Sequence, residues 1–121
     1  MADGDTWVSK VWLIPTGHSH TTATPEALVN VGGGLSNNQC IALSVQIVAR
    51  AASNGSAFGW VGRLLVLKNN TGTVSGTIAG DAIDPATLGW TVDFNSGQVR
   101  LSAASGARSS IVLRGIRLEH A

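Results

Sequence analysis

The stretch Ile41-Ala42-Leu43-Ser44-Val45-Gln46-Ile47-Val48-Ala49 decides the fold class. Ile41, Leu43, Val45 and Ile47 take every second position, and Ala42, Ser44 and Gln46 fill the places between. A period of two belongs to an extended strand, whose successive side chains point to opposite faces. This segment therefore offers one apolar face to a core and one mixed face away from it.

The same reading extends outward in both directions. Thr6 to Ile14 alternates Trp7, Val11 and Leu13 against Val8, Trp12 and Ile14, apolar on both sides. Phe58 to Lys68 contains Leu64-Leu65-Val66-Leu67, a run expected of a strand covered on both faces. Thr73 to Ile78, Trp90 to Phe94, Val99 to Ala103 and Ile111 to Leu118 complete the set. Between them lie turn residues. Ser53-Asn54-Gly55, Asn69-Asn70-Thr71-Gly72 and Asn95-Ser96-Gly97 suit tight turns, because Asn and Gly accept positive φ. Val31-Gly32-Gly33-Gly34 with Ser36-Asn37-Asn38 reads as a longer flexible loop. Residues 80–89 have room for one helical turn, with Asp84 as its cap and Pro85 at its first position. The sum is an all-β chain of about seven or eight strands, an antiparallel β-sandwich of jelly-roll-like type.

Composition limits what such a chain can do. Hydrophobic residues make up 44% and charged residues 12% of 121 residues, with a net charge of +1. Disorder is excluded, since it needs low hydrophobicity. Nucleic-acid binding is not expected either, since phosphate contacts need clustered Lys and Arg. No apolar stretch approaches the roughly 20 residues of a membrane-spanning helix. The start, Met1-Ala2-Asp3-Gly4-Asp5, has no signal-peptide character, which points to synthesis in a cytosol-like compartment. The lone Cys40 cannot form an intrachain disulfide and reads as a small buried hydrophobe. No sequence repeat or boundary divides the chain. It reads as one domain, with residues 1–20 as an N-terminal strand or arm and residues 21–121 as the sandwich module.

Groups that carry chemistry are sparse. Asp81 and Asp84 stand in a Gly/Pro-rich loop, where capping is commoner than acid–base work. No Gly-x-Ser-x-Gly elbow occurs, and Gly32-Gly33-Gly34 lacks the Lys-Ser/Thr of a phosphate loop. The expectation is a protein that is not an enzyme and needs no cofactor. Gly17-His18-Ser19-His20 is the one candidate for metal ligation, since alternate residues of a strand share a side. Two imidazoles alone are too few for a closed zinc site, and a pair of solvated loop histidines is the plainer reading. Trp7, Trp12, Trp60 and Trp90 all fall within the strands, which favours packing over a glycan-stacking platform.

From Thr21 onward the order of features resembles a small β module of tailed-bacteriophage virion proteins. The matching residues are Thr21-Thr22-Ala23-Thr24-Pro25-Glu26-Ala27-Leu28, then Val48-Ala49-Arg50, Asn54-Gly55 and Trp60-Val61-Gly62-Arg63-Leu64-Leu65. Trp90-Thr91-Val92, Val99-Arg100-Leu101 and Gly106 through Ile111-Val112-Leu113 follow. The closing strand departs from the module, with Leu113-Arg114-Gly115 where a Trp is usual. The resemblance implies a structural virion component, assembled in the bacterial host cytoplasm. The role expected first is a capsid decoration (cement) protein, a homotrimer on the head bound to the major capsid protein. The alternative is a tail fibre or spike component or a module that binds host-surface glycan. In phage fibre and spike tips, three His-x-His pairs around a threefold axis hold one octahedral metal, which implies a metal role for His18 and His20. Self-association is also expected on physical grounds, because so few charges guard the strand edges. Trp7, Trp12 and Leu65 are the candidate interface residues.

Overall fold

The computed structural model describes residues 5–13, 18–21, 24–51, 57–83 and 89–120, with side chains described between 18 and 115. Its strands are β1 (Asp5–Leu13), β2 (His18–Ser19), β3 (Glu26–Asn30), β4 (Gln39–Arg50), β5 (Ala57–Lys68), β6 (Val74–Ile83), β7 (Thr91–Asn95), β8 (Gln98–Ser102) and β9 (Arg108–His120). A short 3₁₀ turn at Gly32–Gly34 is the helical element among the described residues.

The strands form two antiparallel sheets of unequal size. The larger has the order β1-β9-β4-β5-β6, with β2 also paired to β9, and the smaller has the order β3-β8-β7. Short turns explain the neighbours. Asn69 closes the β5–β6 turn by accepting from the backbone N–H of Thr71 and Thr73 on its Oδ1, and Gly72 takes φ +89. Ser96 and Gly97, at φ +52 and +81, join β7 to β8 as two consecutive left-handed residues, the geometry whose twist matches a two-residue hairpin. On β9, β1 pairs from Val112 to His120 and β2 pairs at Arg108 and Ser109, so the two occupy successive lengths of one edge.

The core lies between the sheets. Ile41, Leu43, Val45 and Ile47 of β4 are buried, as the alternation requires, and Ala42, Ser44, Gln46 and Val48 face away. Phe58, Trp60, Leu64 and Val66 of β5 and Ile111 and Leu113 of β9 complete the floor. Leu28, Val99 and Leu101 of the small sheet, with Val31 and Leu35, form the lid. Trp60 needs room that two glycines supply. A Cβ on Gly62 would fall 2.6 Å from its Cζ3, and one on Gly80 would fall 2.6 Å from its Cζ2. Gly62 and Gly80 are cross-strand partners on β5 and β6, so the indole lies over a bare patch of backbone.

Four expectations change. The run Leu64–Leu67 is covered on one face only: Leu64 and Val66 are buried, whereas Leu65 is 52% exposed and Leu67 is also exposed. The small sheet is too narrow to wrap both sides of a long strand. Cys40 is half-buried rather than buried, because it belongs to the outward-facing set of β4. Residues 80–83 extend β6 instead of opening a helical turn, and the proposed cap at Asp84 and Pro85 lies outside the described residues. The glycine loop at 32–34 is a hydrogen-bonded turn, with Leu35 N–H donating to Gly32 O.

Candidate functional site

Residues 18–21 are held against the turn that precedes β9. His20 N–H donates to Ala107 O at 2.8 Å, Gly106 N–H donates to His20 O at 2.7 Å, and Ser105 Oγ donates to Thr21 O. The extended backbone of β2 and the residue after it places both imidazoles on one side, with ring centroids 4.7 Å apart in an edge-to-face arrangement. The reading of two solvated loop histidines does not hold: His20 is 1% exposed. Its Nε2 bonds the hydroxyl of buried Ser109 at 2.9 Å.

Glu26, the first residue of β3, brings a carboxylate from the other sheet to the same point. Its Oε1 lies 3.0 Å from His18 Nε2, and its Oε2 accepts from Thr21 N–H at 2.8 Å. Oε2 also lies 3.9 Å from His20 Nδ1, which is buried and has no hydrogen-bond partner. Burial pushes the His20 imidazole below its ordinary pKa, His18 acts in the same direction, and Glu26 opposes both. One donor atom from each of His18, His20 and Glu26 fits within a 4.8 Å span. The sequence pointed to the two histidines and missed Glu26, which no spacing rule ties to them across Pro25.

A second feature lies on the outward face of the large sheet. Arg63 and Arg114 flank Ser44 as its cross-strand partners on either side. They line a shallow apolar trough of about 760 Å³ with Ala42, Leu65 and Thr77. Arg50 and Arg108 are directly opposed on the same face, and both are exposed. Asp81 is the acid of that face among the described residues. Leu65 sits in this trough, while Trp7 and Trp12 lie in β1 opposite Leu118 and Leu113, with side chains outside the described set. Among the described residues, no helix is long and apolar enough to cross a membrane.

Comparison with family models and with curated proteins finds no match. Solved structures do match in fold. The chain is similar to the tailspike protein gp49 of Acinetobacter baumannii bacteriophage Fri1, a capsular polysaccharide depolymerase. That match has 12% identity and a TM-score of 0.54, over 98% of this chain and 20% of that one. It is also similar to the tailspike protein of Acinetobacter phage vB_ApiP_P1, with 14% identity and a TM-score of 0.50, over 93% of this chain and 22% of that one. The chain thus spans about a fifth of each tailspike's length. The all-β sandwich expected from the sequence is a fold found in phage tailspikes. Both neighbours are tailspike proteins, and the comparisons offer nothing for head decoration. The expectation of a non-enzymatic part is corrected: the fold occurs within a capsular polysaccharide depolymerase.

Proposed function

We propose that the chain is a module of a tail-borne attachment protein of a tailed phage, and that its open sheet face meets anionic host-surface polysaccharide. The observation that carries this reading is the fold likeness over 98% of the chain to a tailspike that degrades capsular polysaccharide. The charge on the open face supports it. Arg50, Arg63, Arg108 and Arg114 share that face with the single described acid Asp81. A guanidinium is the side chain best matched to a carboxylate, because its planar fork donates two parallel hydrogen bonds. Ser44 and Thr77 beside them supply hydroxyls that can bond sugar hydroxyls.

Binding of purified acidic capsular polysaccharide, followed by calorimetry or biolayer interferometry, tests the proposal. Binding is expected to saturate and to weaken as salt rises from low to physiological strength. It should also fall at least tenfold in an Arg63→Ala/Arg114→Ala double variant. A neutral polysaccharide bound equally well, or unchanged binding in the double variant, would contradict it.

A second reading rests on the apolar part of the same face. Val48 is 63% exposed and Val61, Leu65, Leu67 and Ile83 are also exposed, more contiguous apolar surface than single scattered residues. Packing against copies of itself, as in the homotrimer expected above, would cover it. Leu65 is the described member of the interface set, and a mass three times that of the chain in solution would support this reading.

A further inference from the structure

We infer that His18, His20 and Glu26 form a binding site for a divalent transition-metal ion of the zinc class within a single chain. Two imidazole nitrogens and a carboxylate oxygen are an established donor set for such an ion, with a fourth position left to water or a neighbouring group. The site differs from a pair of histidines repeated around a threefold axis, since its third ligand comes from the same chain and from the opposite sheet.

The carrying observation is the orphaned Nδ1 of His20. That nitrogen is buried, has no hydrogen-bond partner, and points toward Glu26 Oε2 at 3.9 Å. The distance is too long for a hydrogen bond. If Nε2 donates to Ser109 Oγ, Nδ1 presents a lone pair to a carboxylate oxygen, and two acceptors face one another in a buried place. A cation between them satisfies both. A buried polar atom without a partner is destabilising, so the arrangement needs an explanation, and a bound ion supplies one.

The surroundings fit as well. Metal-bound histidines usually give their other ring nitrogen to a hydrogen-bond partner, which fixes the tautomer. Ser109 holds His20 in that way at 2.9 Å. The Thr21 N–H holds Glu26 Oε2 at 2.8 Å. Around a tetrahedral ion with bonds of about 2.0–2.1 Å, donor atoms stand about 3.4 Å apart. The present span of 4.8 Å therefore closes by little more than an ångström, within rotamer adjustment of His18 and Glu26, which are partly exposed. Because His18 lies in β2 at the large sheet's edge, His20 is bonded to Ala107 just before β9, and Glu26 belongs to the small sheet, the ion would tie the two sheets together.

The test is titration of the full, untagged chain with Zn²⁺ by calorimetry, and with Co²⁺ by visible spectroscopy. One ion per chain is expected, with the intense visible bands of four-coordinate cobalt and a raised thermal midpoint. His20→Ala removes a buried side chain and can unfold the protein, so Glu26→Gln and His18→Asn are the deciding variants, because both residues are partly exposed. Each should weaken binding at least about 10–100-fold, the loss that even an outer-shell partner causes, while circular dichroism stays unchanged. Ser109→Ala should keep the stoichiometry and weaken binding by about the same factor. His120→Ala, which alters the remaining histidine, should change nothing. No binding at one equivalent would overturn the inference. So would binding that survives the double variant His18→Asn/Glu26→Gln, or that His120→Ala removes.

Discussion

At the scale of single residues, contact partners decide more than residue type. Trp60 reads in the sequence as a core aromatic, and it is one, at 7% exposure. The sequence does not say that Gly62 and Gly80 exist to admit it, because glycine in a β-rich chain reads first as a turn. A Cβ on Gly62 would also lie 2.5 Å from Ala79 O, so the backbone as well as the ring must move. Gly62→Val is therefore expected to cost about 1–3 kcal/mol, the usual range for overpacking, read from the midpoint of urea unfolding. The histidine pair was legible for a simple reason: alternation in a strand is a local rule. Glu26 was not, because its approach depends on how two sheets stack, and no local pattern encodes that. The salt bridge from Arg100 to Asp93 across the β7–β8 hairpin was equally invisible and matters less. It is partly exposed, and such pairs contribute about 0–1 kcal/mol.

At the scale of elements, a strand is legible where one face is apolar and the other is not. β4 follows its alternation from Ile41 to Ala49 without a slip. Ile47→Ala is expected to cost about 2–5 kcal/mol, since it opens a cavity beneath the small sheet. The neighbouring Gln46→Ala should stay within about 0.5 kcal/mol. Thermal or urea unfolding of the two variants side by side checks the register, because a one-residue slip would reverse the order. Where alternation fails, so does the reading. Leu64–Leu67 has no polar position to show which face is bare, and both faces were expected to be covered. β3 escaped notice because it is short, follows Pro25, and changes register between Ala27 and Val29. β6 runs on to Ile83 through Gly76 and Gly80, which resemble breakers but sit beneath Phe94 and Trp60.

At the scale of the whole molecule, the low charge acquires a location. A chain with eight basic and seven acidic residues looks evenly balanced as a sum. Folded, it places four arginines and one described acid on the open face of the larger sheet, among Val48, Val61, Leu65 and Ile83. Composition could exclude disorder and phosphate-backbone binding, but only the strand order shows which charges share a face. The proposed function puts a polysaccharide partner on that face, and its support is a fold shared with phage tailspikes. The sequence alone could not choose head from tail, since both roles call for a rigid sandwich. The most direct test of the central claim is gold-labelled antibody against this chain on intact phage particles, viewed by electron microscopy. The account predicts label confined to the tail tip, in a few copies per particle. Label spread over the head, in many copies, would contradict it.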